Sequence, residues 1–272
     1  MPSDDGLRTP GHLMQVAPGV RLVLAPNPGP MSLDGTQSYV LGPDGDCVVV
    51  DPGPEDEAHL RLLAGTRPRL ILVTHRHADH TAGVDRLHAL TGAPVQAASA
   101  RFCRAAEPLH DGQAVTAGEG RLTVLATPGH TSDSLSFHWE TEQESWLLSG
   151  DTILGTGTTM IDHPDGTLGD YLRSLERLAA LAETAKGTRV LPAHGGLGRE
   201  LADVVHEYRD HRLARLAEVR AAVAQLGDDA GAVTALVYSD VPPGVLPAAR
   251  LSIEAQLRYL RENSLEATDS LD

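Results

Sequence analysis

The sequence predicts a mixed α/β (α+β) sandwich over its first two thirds and a small helical domain at its C-terminal end. Three observations carry this. Short apolar, β-branched runs recur between Gly, Pro, Asp and Asn residues, as strands do. Stretches of helical period lie between some of them. After Gly198 only helical patterns remain. Strands mixed with helices fit layered packing of helix on sheet.

The strand runs fall at 21–24, 38–41, 47–50, 70–73, 121–126, 134–139, 145–148 and 189–191. Gly42-Pro43-Asp44-Gly45 separates two of them and reads as a hairpin turn, so the sheet is partly antiparallel rather than purely doubly wound. Short helix patterns occupy 54–63 and 82–90. The segment 170–185 is clearer: Leu172, Leu175, Leu178 and Leu181 recur every third residue, with Ala179 and Ala182 alongside, forming one apolar face. Beyond Gly198 helices are expected over 201–226, from Thr234, and over 246–261 after Pro242-Pro243-Gly244. The expected division is therefore a domain of residues 1–198 and a helical domain of 199–272, whose acidic end, 266–272, reads as frayed.

Of 272 residues, 41% are hydrophobic and 22% charged, as in ordinary globular proteins. Aromatics are only 3%, so aliphatic side chains must fill the core. Cys47 and Cys103 form neither a disulfide framework nor a metal-type spacing; both read as small buried hydrophobes of a reducing compartment. Residues 1–15 lack the pattern of a signal peptide, and no apolar run reaches membrane length, so the expectation is a cytoplasmic protein with no membrane partner. The formal net charge of -15 argues against non-specific binding to nucleic acid.

The chemistry concentrates in His75-Arg76-His77-Ala78-Asp79-His80, directly after the 70–73 run. Neutral imidazole is the commonest side-chain metal ligand, and imidazole with carboxylate suits zinc and its neighbours. Other strand ends deliver similar groups. His130 sits in Thr127-Pro128-Gly129-His130-Thr131, Asp151 follows Leu147-Leu148-Ser149-Gly150, and His194 follows Val190-Leu191-Pro192-Ala193. Asp51 ends Val48-Val49-Val50. Each alone reads as an ordinary turn or cap residue. Together they read as a metal site.

This ordered set of motifs, spread over residues 20–200, resembles the metallo-β-lactamase superfamily. The resemblance implies a four-layer αββα sandwich with a dinuclear site at one edge of its sheets. By matching motifs, it implies that His75, His77 and His130 hold one metal and that Asp79, His80 and His194 hold a second. Asp151 would bridge the two, and Asp51 would orient a ligand loop; Arg76 and Ala78 read as spacers. It further implies two zinc ions per chain, with iron or manganese as alternatives, and a hydroxide held between them as nucleophile, Asp79, His80 and Asp151 being the catalytic ligands. No cysteine stands at the ligand positions, so the site resembles glyoxalase II-like hydrolases more than common lactamases.

Residues 27–39, the segment 150–159, Tyr208, His211-Arg212, Arg215 and Val237-Tyr238 resemble the lactamase-β-like branch with a C-terminal winged-helix-like domain. That branch includes thioesterases of carrier-bound polyketides and single-strand endoribonucleases. Its usual Asn-Thr is Gln37-Ser38 here. Gln37, Tyr39, Thr156 and Gly157 are the expected substrate contacts, with 155–159 as a wall of the pocket. Arg209, Arg212 and Arg215 read as a solvated helix face paired with Glu207, Asp210 and Glu218, in preference to a phosphate-facing stripe. His12, His59, His88, His110, His138, His163, His206 and His211 have no ligand-type spacing. The leading expectation is a metal-dependent hydrolase of a small or carrier-bound ester or thioester. A single-stranded RNA endonuclease comes second, with β-lactam hydrolysis and mononuclear iron persulfide dioxygenation behind it. A homodimer is allowed.

Overall fold

The computed structural model of the chain describes residues 9–269, with side chains as far as 263. The expectations placed on residues 1–8 and 270–272 lie outside the described residues. Two sheets form the centre. The first orders strands β1 (Leu13–Ala17), β2 (Val20–Leu24), β3 (Gln37–Leu41), β4 (Val48–Val50), β5 (Leu70–Leu72) and β6 (Val95–Gln96) in sequence. The second orders β11 (Arg189–Pro192), β10 (Ser145–Gly150), β9 (Leu135–Glu140), β8 (Gly120–Ala126) and β7 (Ala114–Ala117).

Strand alternation builds the layers. Leu22, Leu24, Val48, Val50, Leu70 and Leu72 point between the sheets and meet Leu122, Val124, Phe137, Trp139, Trp146 and Leu148. The intervening residues Val23, Val49, Ile71 and Val73 point outward onto helices α1 (Glu57–Gly65) and α3 (Val84–Thr91), through Leu60, Leu63, Val84 and Leu87. On the far side Leu147 and Val190 pack against α4 (Leu168–Thr184), through Leu175 and Leu178. The result is the α/β/β/α stack that the motifs imply. Both faces of the central strands are buried, which is why they read as unbroken apolar runs rather than alternating ones.

The tail is α5 (Leu201–Leu226), α6 (Ala230–Val237) and α7 (Leu246–Asp269), with no strand after β11 among the described residues. The sandwich core continues into it: Leu201, Val204, Val205 and Tyr208 are buried with α4. A separate cluster of Val219, Ala222, Val233, Ile253 and Leu257 joins the three tail helices to one another.

Several boundaries differ from expectation. α6 begins at Ala230 because Asp229 caps it, its carboxylate accepting the Ala232 N–H at 2.7 Å. α7 runs to Asp269, past the expected end at 261 and through part of the segment expected to fray. β1, β6 and β7 gave no usable strand signal: β6 has two residues and β7 is partly exposed. Cys47 is buried, but Cys103 is only half-buried.

Candidate metal centre

Strand direction gathers the candidates. β4 and β5 are parallel, as are β10 and β11, and β8 runs with β10 because both are antiparallel to β9. Their C-terminal ends therefore share one edge. Past β5 the chain bends at Thr74 and Arg76, is extended at His77, and then turns into the short helix α2 (Ala78–Thr81). The change of backbone splits the motif: His75 and His77 serve one cluster, and Asp79 and His80 the other.

In the first cluster His75 Nε2 and His130 Nε2 lie 3.0 and 3.1 Å from His77 Nδ1. Asp151 Oδ2 stands 3.9 Å from His75 Nε2 and 3.6 Å from His130 Nε2. In the second, Asp79 Oδ2 is 3.4 Å from His80 Nε2 and 3.2 Å from His194 Nε2. The other oxygen of Asp151, Oδ1, is 3.6 Å from His80 Nε2 and 3.3 Å from His194 Nε2. All seven sequence-predicted ligand residues thus converge, and Asp151 turns one oxygen toward each cluster.

The outward nitrogens fix the rings. His130 Nδ1 donates to the Met160 carbonyl (2.8 Å), and His194 Nδ1 donates to that of Gly35 (3.2 Å). His77 Nε2 faces Asp162 Oδ2 (3.0 Å), and His80 Nδ1 faces Asp51 Oδ2 (2.8 Å). His75 Nδ1 meets Thr74 Oγ1 (3.1 Å), which itself donates to Asp51 Oδ2 (2.8 Å). With a proton held outward on each ring, the inward nitrogens present lone pairs. His80 Nε2, His194 Nε2 and Asp151 Oδ1 are buried without any hydrogen-bond partner. Buried polar atoms left so are costly, and their convergence on a common space fits a divalent cation.

The electrostatics of the two clusters differ. Burial holds His75 well below the ordinary histidine value, reinforced by His80, His130 and His77. Burial likewise lowers His130 to about 4, with His77 adding to it against Asp151. Burial also opposes a charge on His80, yet Asp79, Asp51 and Asp151 together raise it well above the ordinary value. His194 is raised too, by Asp151 and Asp79 against its burial. Burial pushes the Asp79 carboxyl upward, but His80 and His194 outweigh it and hold the group well below the carboxylate range. The carboxylates of the second cluster thus favour positive charge at its centre, which a bound cation would supply.

Backbone and loop details support this packing. Asp51 takes a positive φ of 56°, and its Oδ1 accepts the Thr74 N–H at 2.7 Å. Gly150 also has positive φ, and a Cβ there would meet Thr74 Cβ at 2.8 Å, so glycine lets β10 reach Asp151 beside the β5 loop. Thr36 Oγ1 donates to Asp79 Oδ2 (3.1 Å) and is itself held by Asn27 (2.9 Å).

A cavity of about 530 Å³ opens onto the clusters. His77, Asp79, His130 and Asp151 form one wall; Met31, Leu33, Leu154, Met160 and Val245 supply apolar surface. Thr156 and Gly157 line it as expected. Gln37 and Tyr39 correct the expectation of substrate contact. Both are buried: Gln37 Nε2 donates to the Pro192 and Gly195 carbonyls (2.9 and 3.0 Å), and Tyr39 Oη to Pro192 (2.6 Å). They fasten the turn that carries His194.

Arg76 is more than a spacer. It pairs with Asp162 and, at 3.0 Å, with Asp165, pinning the 162–165 turn beneath His77. The sequence reading missed Asp162, Thr74, Thr36 and Asn27. The solvated arginine face also needs correction. Arg209 is exposed, but Arg212 is buried over the Tyr171 ring, and Arg215 stacks on Tyr238 while pairing with Glu218 (2.7 Å). His163 lines a separate groove between α4 and α7.

Residues 31–194 match the metallo-beta-lactamase superfamily. The chain is 32% identical over 261 residues to a beta-lactamase-like protein 2 homologue of Caenorhabditis elegans, covering 90% of this chain and 85% of the relative. It is 30% identical over 251 residues to the atrochrysone carboxyl ACP thioesterase of Aspergillus fumigatus, covering 86% of this chain and 76% of that one. A crystal structure of a metallo-beta-lactamase family protein from Thermus thermophilus superposes with a TM-score of 0.74 at 25% identity, covering 92% of this chain and 95% of that chain.

Proposed function

The chain belongs to the metallo-beta-lactamase superfamily, and from that premise we propose that it is a metal-dependent hydrolase of ester or thioester bonds in small or carrier-bound acyl substrates. His75, His77 and His130 would hold one cation, Asp79, His80 and His194 a second, with Asp151 shared between them. The donors are nitrogen and oxygen only, which suits zinc and admits iron or manganese. Such cations would supply an activated water and polarise the substrate carbonyl.

The chain's own residues set the stage. Asp51, Thr74, Asp162 and the Met160 and Gly35 carbonyls orient the imidazoles, so little reorganisation is needed when substrate arrives. One observation carries the choice of substrate class: the cavity over the donors is largely apolar and, among the described residues, contains one arginine and no lysine. That wall suits an acyl chain. A single-stranded RNA would need several cations along its phosphates. The thioesterase of Aspergillus fumigatus supports the same reading.

The test is metal analysis of the purified protein, followed by parallel assays of one preparation on acyl thioesters and single-stranded RNA. Metal-dependent thioester turnover without RNA cleavage is expected. RNA cleavage without thioester turnover would overturn the reading.

A further inference from the structure

Arg209, Arg212 and Arg215, spaced three residues apart on α5, have three different fates, and one is left without a counter-ion. Arg209 is solvated, and Arg215 is neutralised by Glu218. Arg212 is only 5% exposed, yet no carboxylate pairs with it among the described residues. Its guanidinium lies 4.9 Å from the centre of the Tyr171 ring, its Nη2 donates to the Thr159 carbonyl, and its Nε has no partner. A guanidinium stays charged at any working pH. One carbonyl and one aromatic face compensate a buried cation only in part.

This unbalanced charge lies on the wall of the cavity that His77, Asp79, His130 and Asp151 close on another side. The two features share a scaffold. Thr159, whose carbonyl takes the Arg212 bond, donates its own hydroxyl to the Asp151 carbonyl, so the 151–159 segment sets the spacing from arginine to donors. Leu154, Met160, Ala248 and Ala249 line the same cavity. A ligand spanning it would thus place an anion against Arg212, an apolar stretch along these side chains, and a reacting bond at the clusters.

We infer that Arg212 recognises a carboxylate carried on the acyl part of the substrate. The inference rests on the hydrolase reading and deepens it. A carboxylate fits better than a phosphate: its single charge matches the single guanidinium in an otherwise apolar wall, and its two oxygens match the planar N–H fork. Arg212 is a specificity residue here, apart from the reacting atoms.

The experiment compares metal-loaded protein on a pair of N-acetylcysteamine thioesters, adipoyl and its methyl-ester counterpart. Wild type is expected to favour the free carboxylate about tenfold or more in kcat/KM, the size of one charge-assisted contact. In Arg212→Met that preference disappears through a rise in KM for the carboxylate substrate, and Arg212→Lys, which keeps the charge but not the fork, retains part of it. A wild type without preference overturns the inference and requires no variant to fold. So does a variant that loses both activities by one factor with the ratio intact. Titration of monoethyl against diethyl adipate separates this from failure of the hydrolase reading. Tighter binding of the monoester to wild type but not to Arg212→Met upholds the anion site even if neither thioester is turned over; equal binding rejects it.

Discussion

At the scale of single residues, each clustered histidine divides its work between two nitrogens, one inward and one held by an oxygen. Asp162 is the sharpest test, because it lies 85 residues from the His77 ring it faces and appears in no local motif. Asp162→Asn removes the charge that holds the His77 proton outward, while Asp165 still anchors Arg76. Metal affinity, read by competition with a chelator, should fall by roughly 10–100-fold; an unchanged affinity would mean that His77 is oriented by something else. His59 allows a test of stability free of the metal site. Burial lowers it from 6.5 to about 4, against the pull of Asp56. Between those values the unfolded chain takes up a proton that the folded chain refuses. The contribution is therefore complete above pH 6.5, shrinks as pH falls to about 4, and is constant below. At about 1.36 kcal/mol per unit the loss is on the order of 3 kcal/mol. Urea unfolding at about pH 7 and about pH 4.5, on either side of most of that window, should show a smaller drop in His59→Gln than in wild type; equal drops would clear His59 of the effect.

Elements carry the next level of control, and here the sequence was legible in part. The runs at 47–50, 70–73 and 145–148 announced their strands because burial on both faces keeps them continuously apolar. β6 and β7 stayed hidden, being too short or too exposed to show a pattern. The ligand residues were readable because each follows such a strand directly. Their holders were not, since a Thr or Asn in a loop looks the same whether or not it touches Asp79. Tyr208 shows the same blindness: its place on α5 was visible, but not its bonds to the 154–157 loop. Its hydroxyl accepts the Leu154 N–H at 2.8 Å and reaches the Gly157 carbonyl at 3.0 Å. Tyr208→Phe leaves those backbone groups unpaired beside the cavity, at a cost of about 1–3 kcal/mol. Loss of stability in urea should accompany a raised KM. A loss of stability with KM unchanged would show that the loop shapes no part of substrate binding.

For the whole molecule, two parallel strand pairs in separate sheets bring residues from 51 to 194 to one edge, and packing alone cannot satisfy what they carry there. The sandwich buries Asp51, His75, His80, His130 and His194 together, and three of the polar atoms at the centre of the clusters have no partner. Sequence motifs revealed the edge, but the way the tail closes over it was out of their reach, because α7 meets the 159–161 segment through contacts such as Ser252 with the Ile161 N–H, 91 residues apart. Cations bound at that edge would thus stabilise the fold. A ligand present at about a thousand times its dissociation constant adds about 4 kcal/mol, and for a chain of this size each kcal/mol moves the melting point by roughly 2–4 °C. Chelation should therefore lower Tm by on the order of ten degrees, and zinc matched to both clusters should restore it. In Asp151→Ala, which removes the carboxylate common to both clusters, zinc should restore little or nothing. A chelated wild type that melts where the zinc-loaded protein does would detach the folding of this chain from metal altogether.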